Sequence, residues 1–147
     1  MKITSRTEYG LRAMVYLAGR PQAGPAPLTE IAASEGIPGP FLERILARLR
    51  EVGLVRATRG ASGGYALSRS PVRVAVADIV TALEGPLTLV DCMHTDRSCA
   101  RAEGCASRVV WRRLDDAITE ALEGISLEDL VSDASEVRDA QDGTAGR

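Results

Sequence analysis

The chain has 147 residues, 45% hydrophobic and 26% charged, which excludes wholesale disorder, collagen-like repetition and a disulfide-dense scaffold and leaves room for one domain or two small lobes around a modest core. The net charge of -2 conceals an asymmetry: Met1–Arg73 holds 11 basic residues and five acids, a charge of +6, whereas Val74–Arg147 holds seven and 15, a charge of -8. A basic half points to a polyanionic partner, so the acidic pI of about 5.5 does not exclude nucleic acid.

Leu11, Met14, Val15 and Ala18 recur at helical spacing and predict an amphipathic helix from about Thr4 to Gly19, with Arg6, Glu8 and Arg12 on its polar face. After the loop PQAGPAP, Leu28, Ile31 and Ala32 predict a short second helix, with Thr29 as N-cap and Gly36 as stop. Pro40 suits the first position of a third helix, whose buried stripe is Leu42, Ile45, Leu46 and Leu49 and which Gly53 ends. A short helix, a tight turn and a longer arginine-bearing helix form the pattern of a helix-turn-helix. Leu54–Thr58 and Tyr65–Ser68 then read as two strands around the glycine-rich turn Arg59–Gly64. This hairpin is a wing with a basic tip, and Arg59 is suited to enter a narrow minor groove.

Val76, Ile79, Val80 and Leu83 predict a brief helix closed by Gly85-Pro86, and an irregular stretch from Leu87 to Cys105 follows. Val110, Leu114, Ala117, Ile118, Ala121, Leu122 and Ile125 then mark a helix of roughly 17 residues, flanked by Trp111. No other element is available to cover its whole stripe, so a second copy of the chain is the expected partner. The expected architecture is mainly α with a small β-hairpin. A winged helix-turn-helix DNA-binding domain spans 1–73, a cysteine loop and long dimerisation helix span 74–131, and 132–147, polar and without period, is expected to be a disordered tail.

Three cysteines, Cys92, Cys99 and Cys105, fall as C-x6-C-x5-C within 14 residues. No apolar run approaches the ~18–20 residues of a membrane span and the N-terminus lacks the apolar stretch of a secretory signal, so a reduced, cytoplasmic setting without a membrane partner is expected. Three soft thiolates on one loop suit an iron–sulfur cluster completed by a further ligand. Zinc on a Cys3His set that includes His94 is the nearest alternative, although the spacing is looser than in ordinary zinc folds. A thiol nucleophile needs a base, and His94 is the sole histidine. With no plausible base or phosphate loop, an enzyme is not expected.

Helix-turn-helix, glycine-rich wing, cysteine loop and long helix occur in the order of the IscR/NsrR-type family of iron–sulfur winged-helix transcription regulators, which the chain resembles from about Met1 to Val131. ITSRTEYGLRAMVYLA, FLERILARLREVGLVRATRGASGGYALSR and the cysteine spacing carry the resemblance. It implies a homodimeric repressor on a palindromic operator, with a 2Fe-2S or 4Fe-4S cluster that senses redox state, nitric oxide or iron supply. By position, Glu43 resembles a base-reading glutamate, able to accept a hydrogen bond from cytosine N4, and Arg59 the wing arginine of the minor groove. Arg44, Arg48 and Arg50 are expected on phosphates, and Pro40, Phe41 and Ser62 complete the expected DNA-facing set. Where the IscR branch has a histidine three residues after the last cysteine, this chain has Arg108. Glu8 matches the acidic residue that in other branches reaches the cluster from the partner subunit, which implies Cys92, Cys99, Cys105 and Glu8 as ligands, with His94 in reserve.

Overall fold

The computed structural model describes residues 3–20, 22–93 and 104–144. Among them are helices α1 (Ser5–Ala18), α2 (Leu28–Glu35), α3 (Gly39–Glu51), α4 (Val76–Glu84), α5 (Ala106–Glu123) and α6 (Leu127–Thr144), and a hairpin of β1 (Val55–Thr58) and β2 (Gly64–Leu67). The strands are antiparallel, with Val55 opposite Leu67 and Thr58 opposite Gly64.

The helix-turn-helix forms as the apolar spacing predicts. Ile31 of α2 and Leu42, Ile45, Leu46 and Leu49 of α3 are buried together with Ala13, Met14 and Leu17 of α1, so three amphipathic stripes share one core. Gly10 allows α1 to cross its neighbours closely. A Cβ there would lie 2.3 Å from Leu83 Cδ1 and 3.3 Å from Ile45 Cγ2. The start of α2 differs from expectation. Pro27 takes the N-cap position and Thr29 lies inside the first turn, since the fixed φ of proline already presets helix entry. Gly39 opens α3 and Pro40 follows it, a shift of one residue that costs nothing because the first helical positions have no acceptor within the helix, so the N–H that proline lacks is not missed.

The wing is fastened to the loop between α1 and α2. Ala26 N–H donates to Tyr65 O and Tyr65 N–H to Ala26 O, each at 2.8 Å, which makes Ala26 a one-residue third strand. Gly64 sits at φ +152°, where a Cβ would lie 2.3 Å from Ala26 O. Only glycine permits this approach.

The core continues past the expected boundary at Val74, because Ile79, Ala82, Leu83 and Leu127 belong to the same apolar cluster as α1 and α3. The N-termini of α4 and α6 are stitched together: Val76 N–H donates to Ile125 O and Leu127 N–H to Val74 O, both at 2.9 Å. The tail expected to lack structure from Ser132 is instead helical to Thr144. Its helix begins earlier, at the buried Leu127, and Leu130 and Val131 pack on the core. A capping box starts it, with the Asp129 carboxylate accepting from Ser126 N–H at 2.8 Å and the Ser126 hydroxyl accepting from Asp129 N–H at 3.2 Å. The hydrogen bonds from Ser126 hold the Asp129 carboxyl below its ordinary pKa.

The long helix is present, at 18 residues, and none of its residues is fully buried. It packs on α4, yet Val109, Val110 and Leu114 remain 55%, 53% and 42% exposed. No helix among the described residues is long and apolar enough to cross a membrane.

Candidate nucleic-acid interface and cysteine loop

The four buried leucine and isoleucine positions of α3 fix its inner face, and this turns Glu43, Arg44 and Arg50 outward, all exposed. None of the three has a side-chain partner among the described residues, so the outer face presents one carboxylate and two guanidiniums to solvent. Arg59 and Ser62 are exposed at the wing tip, which the Ala26–Tyr65 pairing holds beside the helix-turn-helix. Pro40 is exposed at the start of α3.

Two residues of the expected DNA-facing set are used inside the protein. Phe41 is half-buried and meets Tyr9 edge-to-face, with ring centroids 5.7 Å apart and planes at 87°, a favourable aromatic geometry that ties α3 to α1. Arg48 turns back onto α4: its Nε donates to Ala82 O at 3.0 Å and its Nη1 to Glu51 at 2.9 Å. Both tie α3 to neighbouring helices.

The first helix is held at its N-terminus by Glu84, the last residue of α4. The Glu84 carboxylate accepts hydrogen bonds from the Thr4 hydroxyl, from Thr4 N–H at 3.3 Å and from the Thr7 hydroxyl at 2.5 Å, and pairs with Arg6 at 3.5 Å. Burial pushes this carboxyl up, but the donors from Thr4 and Thr7 and the Arg6 charge outweigh it and hold the pKa below the ordinary range. Glu84 is absent from the expected site residues; the available signal was an acid at the last position of a helix whose preceding turn, Val80–Leu83, is mostly apolar. Glu8, one turn along α1, is exposed and has no side-chain partner among the described residues. Arg12 pairs with Glu35 at 3.5 Å and lies over the Tyr9 ring, while Arg20 pairs with Glu30 and the Tyr16 hydroxyl.

Of the expected metal ligands, Cys99 and His94 lie outside the described residues. Cys92 stands in the 3-10 turn Asp91–Met93, which packs on α5, and Cys105 is the N-cap of α5. Both are half-buried and free. The Ser107 hydroxyl lies 3.1 Å from Cys105 Sγ. That bond and the Arg108 N–H hold the thiol below its usual pKa, as the positive end of a helix also favours. A soft, readily ionised donor at the mouth of the loop suits thiolate ligation. Glu8 is not brought to these cysteines within one chain; among the described residues, no three potential ligands cluster. Arg108 Nε is buried without a partner among the described residues.

The sequence profile of Rrf2, described as an iron-dependent transcriptional regulator, matches residues 3–133. The HTH-type transcriptional regulator IscR of Xenorhabdus nematophila is 37% identical over 97% of this chain and 87% of its own length. The HTH-type transcriptional regulator CymR of Bacillus subtilis is 37% identical over 90% of this chain and 91% of its own. Among solved structures, CymR, the global cysteine regulator of B. subtilis, superposes with a TM-score of 0.78 at 37% identity over 90% of this chain and 97% of that one. The IscR of T. potens superposes with 0.77 at 36% identity over 93% and 90%.

Proposed function

This chain belongs to the Rrf2 family of transcriptional regulators, and on that premise we propose that it is a homodimeric repressor whose affinity for a palindromic operator is set by an iron–sulfur cluster on Cys92, Cys99 and Cys105. The observation that carries the reading is the coexistence in one chain of Glu43, Arg44 and Arg50 turned outward on α3, without side-chain partners among the described residues, and a cysteine-bearing stretch ending at the N-cap of α5. The relatives reported above are transcriptional regulators, which supports a role in recognition.

On DNA, Arg44 and Arg50 neutralise phosphates and so supply salt-dependent affinity without sequence information. Glu43 accepts from a cytosine N4 amine in the major groove. Arg59, at the wing tip with Ser62, enters the minor groove, where a narrow A-T tract concentrates negative potential. Phe41 and Arg48 support the helix from behind, and Pro40 starts it. The exposed Val109, Val110 and Leu114 of α5 cover their copies in the second subunit.

The cysteines fit the cluster by donor type, and the fourth ligand is assigned to Glu8 of the second subunit, with His94 in reserve. When bound, the cluster supplies electron-transfer and iron-ligand chemistry that responds to redox state, nitric oxide or iron supply, and a carboxylate ligand leaves one iron labile. Glu8 rides on α1, whose end Glu84 clamps to α4, so engagement of Glu8 across the dimer ties one winged domain to the other subunit's loop. Two recognition helices must stand about 34–36 Å apart to meet successive major grooves, and a coupling of about 1–3 kcal/mol suffices for a switch.

A second reading, a thiol-based regulator without a cluster, is favoured by the similarity to CymR, a cysteine regulator. Iron, sulfide and zinc analysis of anaerobically purified protein with a visible spectrum separates the two. Iron and sulfide in comparable amounts with a brown chromophore support the cluster; a colourless, metal-free protein supports the thiol reading, and zinc without sulfide refutes both.

A further inference from the structure

A cavity of about 330 Å³ lies at the root of the wing, between the end of α1, strand β2 and the turn that follows it. Leu17, Ala18, Leu67 and Pro71 supply an apolar lining. Three arginines, Arg20, Arg56 and Arg69, also line it, and no carboxylate does. Their roles differ. Arg20 is countered by Glu30 through Nη1, but its Nε is buried with no acceptor among the described residues. Arg56 is held at the rim by the bond from its Nε to Leu67 O at 3.3 Å, which leaves its two terminal amines for another acceptor. Arg69 is exposed and has no partner among the described residues.

We propose that this cavity is a binding site for a small organic oxyanion, a phosphate monoester or carboxylate joined to a short apolar body. Guanidinium forks match the oxygens of either group in bidentate geometry, and the apolar lining calls for a hydrocarbon portion. The volume lies at the lower end of the roughly 300–1,000 Å³ of ligand pockets, which limits the occupant to a metabolite of modest size. The larger groove between α1, α2 and α6, about 580 Å³, is a poorer anion site because Glu35 already pairs with its Arg12 at 3.5 Å. No residue from 91 to 105 is among those that line the wing-root site, and the proposal does not depend on a metal at the cysteines.

Isothermal titration of the full chain with phenyl phosphate tests the proposal, with inorganic phosphate and phenol as its two halves. The expected result is one molecule bound per chain, with each half bound about tenfold more weakly or worse. Arg56→Gln and Arg69→Ala, both at exposed side chains, each weaken phenyl phosphate about fivefold or more, while Arg113→Ala, an equal charge change on α5, leaves it unaltered. Equal affinity for phenyl phosphate and inorganic phosphate, or equal losses in all three variants, means general attraction of anions and overturns the site. Absence of phenyl phosphate binding also overturns it. If Arg56→Gln and Arg69→Ala then lower the salt dependence of duplex DNA binding, the arginines are phosphate-backbone contacts instead.

Discussion

Replacing Glu84 by Ala removes the acceptor that fastens α1 to α4, and its cost follows from the contacts. Thr7 is only 3% exposed, and its hydroxyl loses the carboxylate that accepts it at 2.5 Å; an unsatisfied buried hydroxyl costs about 1–3 kcal/mol. Thr4 loses both its hydroxyl and its N–H acceptor, but sits at the helix start where water can replace part of the loss, about 1 kcal/mol. The Arg6 pair, with a side chain 49% exposed, adds at most about 1 kcal/mol. The total is about 2–5 kcal/mol, a large share of the stability of a small domain. The same contact sets a pH dependence. Because the folded-state pKa is depressed, the stabilisation is fully present above the carboxyl's unfolded pKa and is lost as pH falls through the lower folded value. Urea unfolding of wild type and Glu84→Ala at about pH 7 and about pH 3 should therefore show a gap that narrows in acid. A gap below about 0.5 kcal/mol at neutral pH, or one that does not shrink in acid, refutes the clamp.

Gly64→Ala forces a Cβ to 2.3 Å from Ala26 O at a positive φ, and the expected loss is about 2–4 kcal/mol, concentrated in the wing. Amide exchange at Ala26 and Tyr65 should accelerate, and unchanged exchange rules this out. Arg48→Ala should cost about 1–2 kcal/mol of stability through its lost bond to Ala82 O and leave the salt slope of DNA binding as in wild type, whereas Arg44→Ala should lower that slope by about one. Glu43→Ala should relax base preference at one operator position by about 1–3 kcal/mol while affinity for unrelated duplexes stays constant, measured by competition between variant duplexes.

Where apolar spacing decides an element, the sequence was readable: α1, α3 and α5 each carry a stripe over two turns or more, and the wing announces itself by glycines between strand formers. Helix α6 escaped because Ser132, Asp133, Ser135 and Glu136 dominate its visible composition, while the residues that anchor it, Leu127, Leu130 and Val131, fall before the expected tail. Thr29 looked like a cap because its type favours that position, but Pro27 governs the backbone there. The exposure of Glu43, Arg44 and Arg50 was legible from helix phase, and that of Arg59 from its place in a glycine-rich turn. The inward turn of Arg48 was not, since a long side chain can reach either way from the edge of a helix and the Ala82 carbonyl that captures it lies 34 residues away. Glu84 was hidden for the same reason, its partners being 77–80 residues distant.

We propose that metal held by the cysteine loop governs DNA affinity. The most direct measurement is anaerobic binding to a duplex selected from a random pool, comparing protein as purified, chelator-stripped protein and Cys105→Ser. The account predicts an affinity difference of about 5–150-fold between the loaded and stripped forms, and a Cys105→Ser variant that behaves as the stripped form throughout. Equal affinity of all three proteins for the selected duplex contradicts it.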